Sequence, residues 1–178
     1  MRILYRASQF WRTVFQTTNS GDFEQAQGLL SPAQWALFKQ LQAAEQEHAL
    51  RIFQGLRNKG EKQPDLLVAA LLHDVGKLHY PLNPIERAMV VVMKALLPAQ
   101  ARRWGELPPG NGMDLPGWRK AFVVAQQHAA WGADLARQAG VTPLVESLIR
   151  YHHAPQVQGA TEVENLLRHK LWVIDNEN

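Results

Sequence analysis

The chain contains no cysteine. That excludes disulfides and thiolate ligands, so any metal centre must be assembled from His, Asp and Glu. Long apolar runs are missing too: Leu66 to Leu72 and Ala88 to Val92 are among the longest, far short of the roughly 20 residues a membrane span needs. The amino-terminal MRILYRASQFWRTVF is basic and aromatic but has no small-residue cleavage site behind a clean apolar core. A cytoplasmic protein without a membrane partner is expected. Charge of one sign is also scarce. A net +3 among 178 residues suits an anionic small molecule but is by itself no nucleic-acid footprint, and gives no evidence for binding of a nucleic-acid polymer.

Alternating apolar and polar β-branched stretches bounded by hairpin turns are absent as well, and helical periodicity runs through the chain, which predicts an all-α fold. Short helices are expected over 5–17 and 22–29, with Asp22 capping the second. Ser31-Pro32 is an N-cap followed by proline, opening a long amphipathic helix from Ala33 to about Arg57 that Asn58-Lys59-Gly60 stops. Pro64 starts a helix that ends at His73-Asp74. Between Leu78 and Pro116 lie six prolines, a helix over Ile85 to Leu97, and the loop GELPPGNGMDLPG, either a lid or locally disordered. Helices over Trp118 to Gln138, from Thr142-Pro143 to His153, and over Thr161 to Asp175 complete the expectation. The division expected is a helical extension over 1–30 and one domain over 31–178 that carries a proline-rich insertion near 78–116.

One feature of this pattern is chemical. An apolar helix, Leu66 to Leu72, runs directly into His73-Asp74 and then Val75-Gly76-Lys77. His48, His73-Asp74, His128, His152-His153 and Asp175 each fall on a different expected helix, at intervals of 25, 54, 24 and 23 or 22 residues. Helices of a bundle that each direct one imidazole or carboxylate inward assemble an N/O metal centre. His79 and His169 fall outside the pattern and are assigned to the surface or to supporting positions. Trp104, Trp118 and Trp131 are read as packing residues rather than base-stacking ones. Arg87, Lys94, Arg102, Arg103, Arg119 and Lys120 flank the insertion, either as a solvated face or as phosphate ligands.

The ordered series, with EHALRIF around His48, AALLHDVGK, HAAWGADLA around His128, IRYHHAP and the closing VIDNEN, resembles the HD-domain superfamily of metal-dependent phosphohydrolases. The resemblance covers roughly Pro32 to Asn178 and implies an HD-domain helical bundle. His128 and the His152-His153 pair resemble the binuclear members, including the HD-GYP type of cyclic-dinucleotide phosphodiesterase. HHAPQVQG stands where that subfamily continues into its GYP signature, so specificity for cyclic di-GMP is not implied.

The resemblance implies two divalent transition-metal ions, about 3.5 to 4 Å apart, with a bridging hydroxide as nucleophile. His48, His73, Asp74 and Asp175 would hold the first ion. Asp74, His128, His152 and His153 would hold the second, with Asp74 as the bridge. Imidazole-rich ligation favours iron or manganese, with nickel or zinc as alternatives, over magnesium. Gly76 is expected to permit a close turn, and Lys77 to direct its ammonium at a bound phosphate. Asp74 and Lys77 are thus the expected catalytic residues, and no leaving-group acid is identifiable. The implied activity is hydrolysis of a phosphomonoester or phosphodiester of a nucleotide or another small phosphorylated metabolite. Two alternatives stand beside it: a mixed-valence di-iron oxygenase, and a non-catalytic metal-stabilised regulatory module. The oligomeric state is not legible.

Overall fold

A computed structural model describes residues 20–107 and 115–177. The helix expected over 5–17 and the tip of the loop at 108–114 lie outside the described residues. Among those described, nine α-helices and one 3-10 segment occur and no strand: α1 Ser20–Leu29, α2 Pro32–Phe38, α3 Ala43–Asn58, α4 Pro64–Leu72, the 3-10 segment Val75–His79, α5 Pro84–Leu96, α6 Pro98–Gly105, α7 Gly117–Gln138, α8 Pro143–Arg150 and α9 Glu162–Glu177. The all-α expectation holds.

The centre of the fold is α4. Its residues from Leu66 to Leu72 are all buried, as a helix apolar on every face must be. It is enclosed by α3, α8 and α9, with α1 and α2 closing one side. Amphipathic partners supply the rest of the core: Leu50, Ile52, Phe53 and Leu56 from α3, Val145, Leu148 and Ile149 from α8, and Leu167, Leu171 and Ile174 from α9. Helix α1 contributes Ala26 to this core, and Phe23 packs edge-on against Trp35 at 5.1 Å. A second core forms where α5 and α6 lie on α7, from Leu82, Val90, Ala101, Phe122 and Val124 with Trp104 packed against them.

Several boundaries differ from expectation. The long helix expected from Ala33 to Arg57 is two, broken at residues 39–42 although no glycine or proline stands there. Leu41 is drawn into the core, and the Gln46 amide donates to the carbonyls of Lys39 and Leu41 at 3.2 and 2.9 Å, satisfying groups a continuous helix would have paired. Asp22 does not cap α1, which starts at Ser20; its carboxylate accepts from the Gln54 amide at 2.7 Å and ties α1 to α3. Residues 98–105 form a helix where none was expected, after Pro98 at its first position. Helix α8 stops at Arg150, three residues early, and His152-His153 occupy the turn beyond it, ahead of Pro155.

Punctuation elsewhere follows the chemistry of the residues. Ser31 and Gln34 form a reciprocal capping box at α2. Gly60 and Gly140 take positive φ of 84° and 78° beyond the ends of α3 and α7. No helix of the described residues is long and apolar enough to cross a membrane.

Candidate metal centre

The end of α4 sets the site. Because α4 is buried on all sides, His73 and Asp74 at its carboxyl end are buried as well, at 1% and 3% exposure. The chain then tightens into the 3-10 segment, whose backbone lies against α7. Gly76 makes this possible through space rather than through turn conformation, since its φ is not positive. A Cβ there would fall 1.9 Å from the His128 carbonyl oxygen and 2.6 Å from the Gly132 nitrogen. This replaces the expected role of a glycine freeing a turn. The close approach brings His128, one turn before Gly132 on α7, against Asp74.

The structure brings together all seven sequence-identified His and Asp residues. His48 of α3, His73 and Asp74 form one group whose ligand atoms lie within 4.8 Å of one another, and His128, His152 and His153 form a second. Asp175 of α9 joins the first, with Oδ1 3.0 Å from His48 Nε2 and 3.7 Å from His73 Nε2. Asp74 faces both. Its Oδ2 is 3.4 Å from His73 Nε2 and 3.9 Å from His48 Nε2, whereas Oδ1 is 3.3 Å from His128 Nε2.

Tautomers follow from the backbone. Nδ1 of His73, His128 and His152 donates to the carbonyls of Ala70, Val124 and Ile149 at 2.9, 2.8 and 2.7 Å. A carbonyl only accepts, so each neutral ring presents its Nε2 lone pair to the centre. Among the described residues, the buried Nε2 atoms of His73 and of His152 have no hydrogen-bond partner, an arrangement costly for a polar atom unless something binds there. His128 Nε2 and His153 Nε2 face each other at 3.2 Å. The donor set thus fits cations: oriented imidazole nitrogens and carboxylates around two adjoining positions.

Electrostatics separate the two groups. Burial alone would lower the pKa of His73, but the charge of the nearby Asp74 carboxylate, with that of Asp175, raises it to about 9. Burial would raise Asp74, yet the charge of Lys77, then His73, holds it well below the usual carboxylate range. In the second group burial lowers His153 to about 4, with His128 adding to it. Burial and His153 likewise push His152 down. His152 and His153 are therefore neutral rings at pH 7, whereas His73 is a protonated imidazole among carboxylates.

Lys77 donates to Asp74 Oδ2 at 2.6 Å and to Glu45 Oε2 at 2.9 Å. Burial opposes its charge, but the two carboxylates outweigh burial and hold the ammonium above the ordinary lysine range. Glu45, 5% exposed, also pairs with the Arg87 guanidinium, which in turn donates to Gln42. Sequence reasoning missed Glu45. The available signal was register: Glu45, Ala49 and Phe53 follow one another at i+4 on the buried face of α3, and Glu45 precedes His48 by one turn.

These residues border a cleft of about 280 Å³, with Leu82, Val90, Val91 and Val124 forming an apolar wall and Lys94 at its edge. Of the six cations flanking the insertion only Arg87 and Lys94 line it. Arg119 holds the carbonyls of Trp104 and Glu106, and Lys120 lies over Tyr80. His79 is exposed beside Trp131, and His169 is exposed against Trp172. Trp104 packs on Trp118 and Phe122 as expected of a core residue.

Searches of curated proteins and of solved structures returned no significant match. A family model described as HD domain matches residues 46–172, a span that holds six of the seven His and Asp residues and leaves Glu45 and Asp175 just outside. With this match over most of its length and that pattern gathered at one centre, the chain belongs to the HD-domain family, whose members are generally metal-dependent hydrolases.

Proposed function

We propose that the protein is a metal-dependent phosphohydrolase acting on a small phosphorylated metabolite, with a nucleotide as the leading class. The observation that carries this reading is the division of the Asp74 carboxylate: one oxygen toward His48 and His73, the other toward His128. A carboxylate so shared is suited to bridge two cations. His48, His73, Asp74 and Asp175 would hold one ion, and Asp74, His128, His152 and His153 the other. The nitrogen-rich donor set suits iron or manganese, then nickel or zinc, better than magnesium. Such ions lower the pKa of bound water and neutralise charge on a phosphoryl group.

The chain's own residues do the rest. Backbone carbonyls of Ala70, Val124 and Ile149 fix the imidazoles so that no reorientation is needed when the centre fills. Lys77 holds Asp74 in position and sets positive charge beside the cleft. The apolar wall limits water and leaves room for the organic part of a small substrate.

The test joins metal analysis of aerobically and anaerobically purified protein to a screen of phosphomonoesters, linear dinucleotides and cyclic nucleotides. About two ions per chain with metal-dependent release of phosphate or of a phosphomonoester is expected. Iron-specific consumption of dioxygen without phosphoester hydrolysis would instead establish the oxygenase alternative.

A further inference from the structure

Among the described residues three cations line the cleft, and two of them already have carboxylate partners. Lys77 is held by Asp74 and Glu45, and Arg87 by Glu45, so that two negative charges face two positive ones. The third is different. Lys94 lies two turns beyond Arg87 on α5, exposed at the cleft edge, and its ammonium donates to the Ala125 carbonyl at 3.3 Å. Among the described residues no carboxylate stands within ion-pair distance of it. Ala125 precedes His128 by one turn on α7, which sets Lys94 beside the second imidazole group. Desolvation, then the positive charge of Lys77, disfavours the charged form of Lys94. A cation held near another cation with no counter-ion is suited to meet an anion that arrives with a ligand.

Resting on the phosphohydrolase reading, we propose that Lys94 is the specificity-determining residue that selects a terminal, dianionic phosphate, making small phosphomonoesters rather than phosphodiesters the substrate class. A monoester carries nearly two negative charges near neutral pH and a diester carries one, so a point charge added beside the cations of the centre favours the monoester. Size points the same way. A cleft of about 280 Å³ falls just below the roughly 300 to 1,000 Å³ typical of small-molecule sites. Its apolar wall of Leu82, Val90, Val91 and Val124 suits one compact organic group.

The experiment uses the metal-loaded full chain with p-nitrophenyl phosphate and bis(p-nitrophenyl) phosphate as a matched monoester and diester, and inorganic phosphate as a probe of the anion site. Wild type is expected to favour the monoester. Lys94→Ala should raise its KM and the phosphate inhibition constant by about 10-fold or more, with kcat and metal content nearly unchanged, and Lys94→Arg should recover part of the loss. The diester KM should move much less. Unchanged monoester KM and phosphate inhibition in Lys94→Ala, or equal losses on both esters, would overturn the assignment while leaving phosphohydrolysis intact. If wild type cleaves neither ester, phosphate binding by calorimetry decides: weaker binding in Lys94→Ala upholds the anion site and removes only the hydrolase reading, and equal binding removes both.

Discussion

The Lys77 ammonium lies 2.6 Å from Asp74 Oδ2, the oxygen that faces His73, and 2.9 Å from Glu45. The pair is one turn apart in sequence, and the 3-10 conformation of Val75–His79 closes it. Lys77 is therefore bound to the carboxylate proposed to bridge the ions rather than extended into open space. Lys77→Ala is expected to retain metal, because ions neutralise Asp74 when the centre is filled, while turnover falls about 10²- to 10³-fold. Lys77→Arg should restore only part, since a planar fork does not reproduce a compact charge at that distance. Wild-type rates in the alanine variant would remove Lys77 from the chemistry.

Asp74 is the residue whose loss should reach both groups. Asp74→Ala is expected to lose both ions, measured by elemental analysis of the purified variant, because its oxygens face separate imidazole clusters. Asp175→Ala should be selective: its Oδ1 contacts His48 and His73 alone among the imidazoles, so the first group should weaken and the second hold. Full occupancy in Asp74→Ala would rule out the shared carboxylate.

Part of this centre was legible in the sequence because His48 and Asp175 sit where helical periodicity turns inward. His48 extends the stripe of Ile52 and Leu56, and Asp175 follows Leu171 by one turn. What was illegible depends on contacts between distant segments. The break at residues 39–42 comes from Gln46 capturing carbonyls across a turn, a contact with no local signature. The burial of Glu45 depends on Arg87, 42 positions away, and on Lys77. A charged residue on a helix is read as solvated until its counter-ions are known. The placement of His152 and His153 on a turn, with ring centroids 4.0 Å apart, depends on α8 ending at Arg150, and end positions are the least certain feature of any helix.

Gly76 tests whether that close approach holds the centre together. The missing Cβ would overlap the His128 carbonyl and the Gly132 nitrogen, both backbone atoms that cannot rotate aside. Gly76→Ala should cost about 3 kcal/mol in denaturant unfolding and lower metal affinity at the second group, because His128 must retreat from Asp74. Gly60→Ala, strained by its positive φ but with nothing among the described residues within 4 Å, separates the effects: it should destabilise without altering metal binding. Equal metal binding in the two variants would assign Gly76 to stability alone.

In the chelator-treated protein His73 and the His152-His153 pair act on stability in opposite directions as pH changes. His153 is lowered to about 4 by burial and His128, so between about 4 and the ordinary 6.5 the unfolded chain binds a proton that the fold refuses. Stability must fall as pH drops through that window, and His152, lowered by burial and His153, steepens the fall. His73 has the reverse sign. Burial opposes its charge, but Asp74 and Asp175 raise it to about 9. Its contribution is complete below about 6.5 and is lost as pH rises through about 9, because there the fold holds a proton that the unfolded chain has released. Metal-free stability should therefore peak near pH 6.5, read from urea midpoints between pH 4.5 and 9.5. His153→Gln should flatten the acid side, and His73→Gln the alkaline side. Metal competes with the His73 proton, so the stabilisation that added metal confers should grow from pH 6.5 to 9. An alkaline limb that persists unchanged in His73→Gln would show that another group holds the proton.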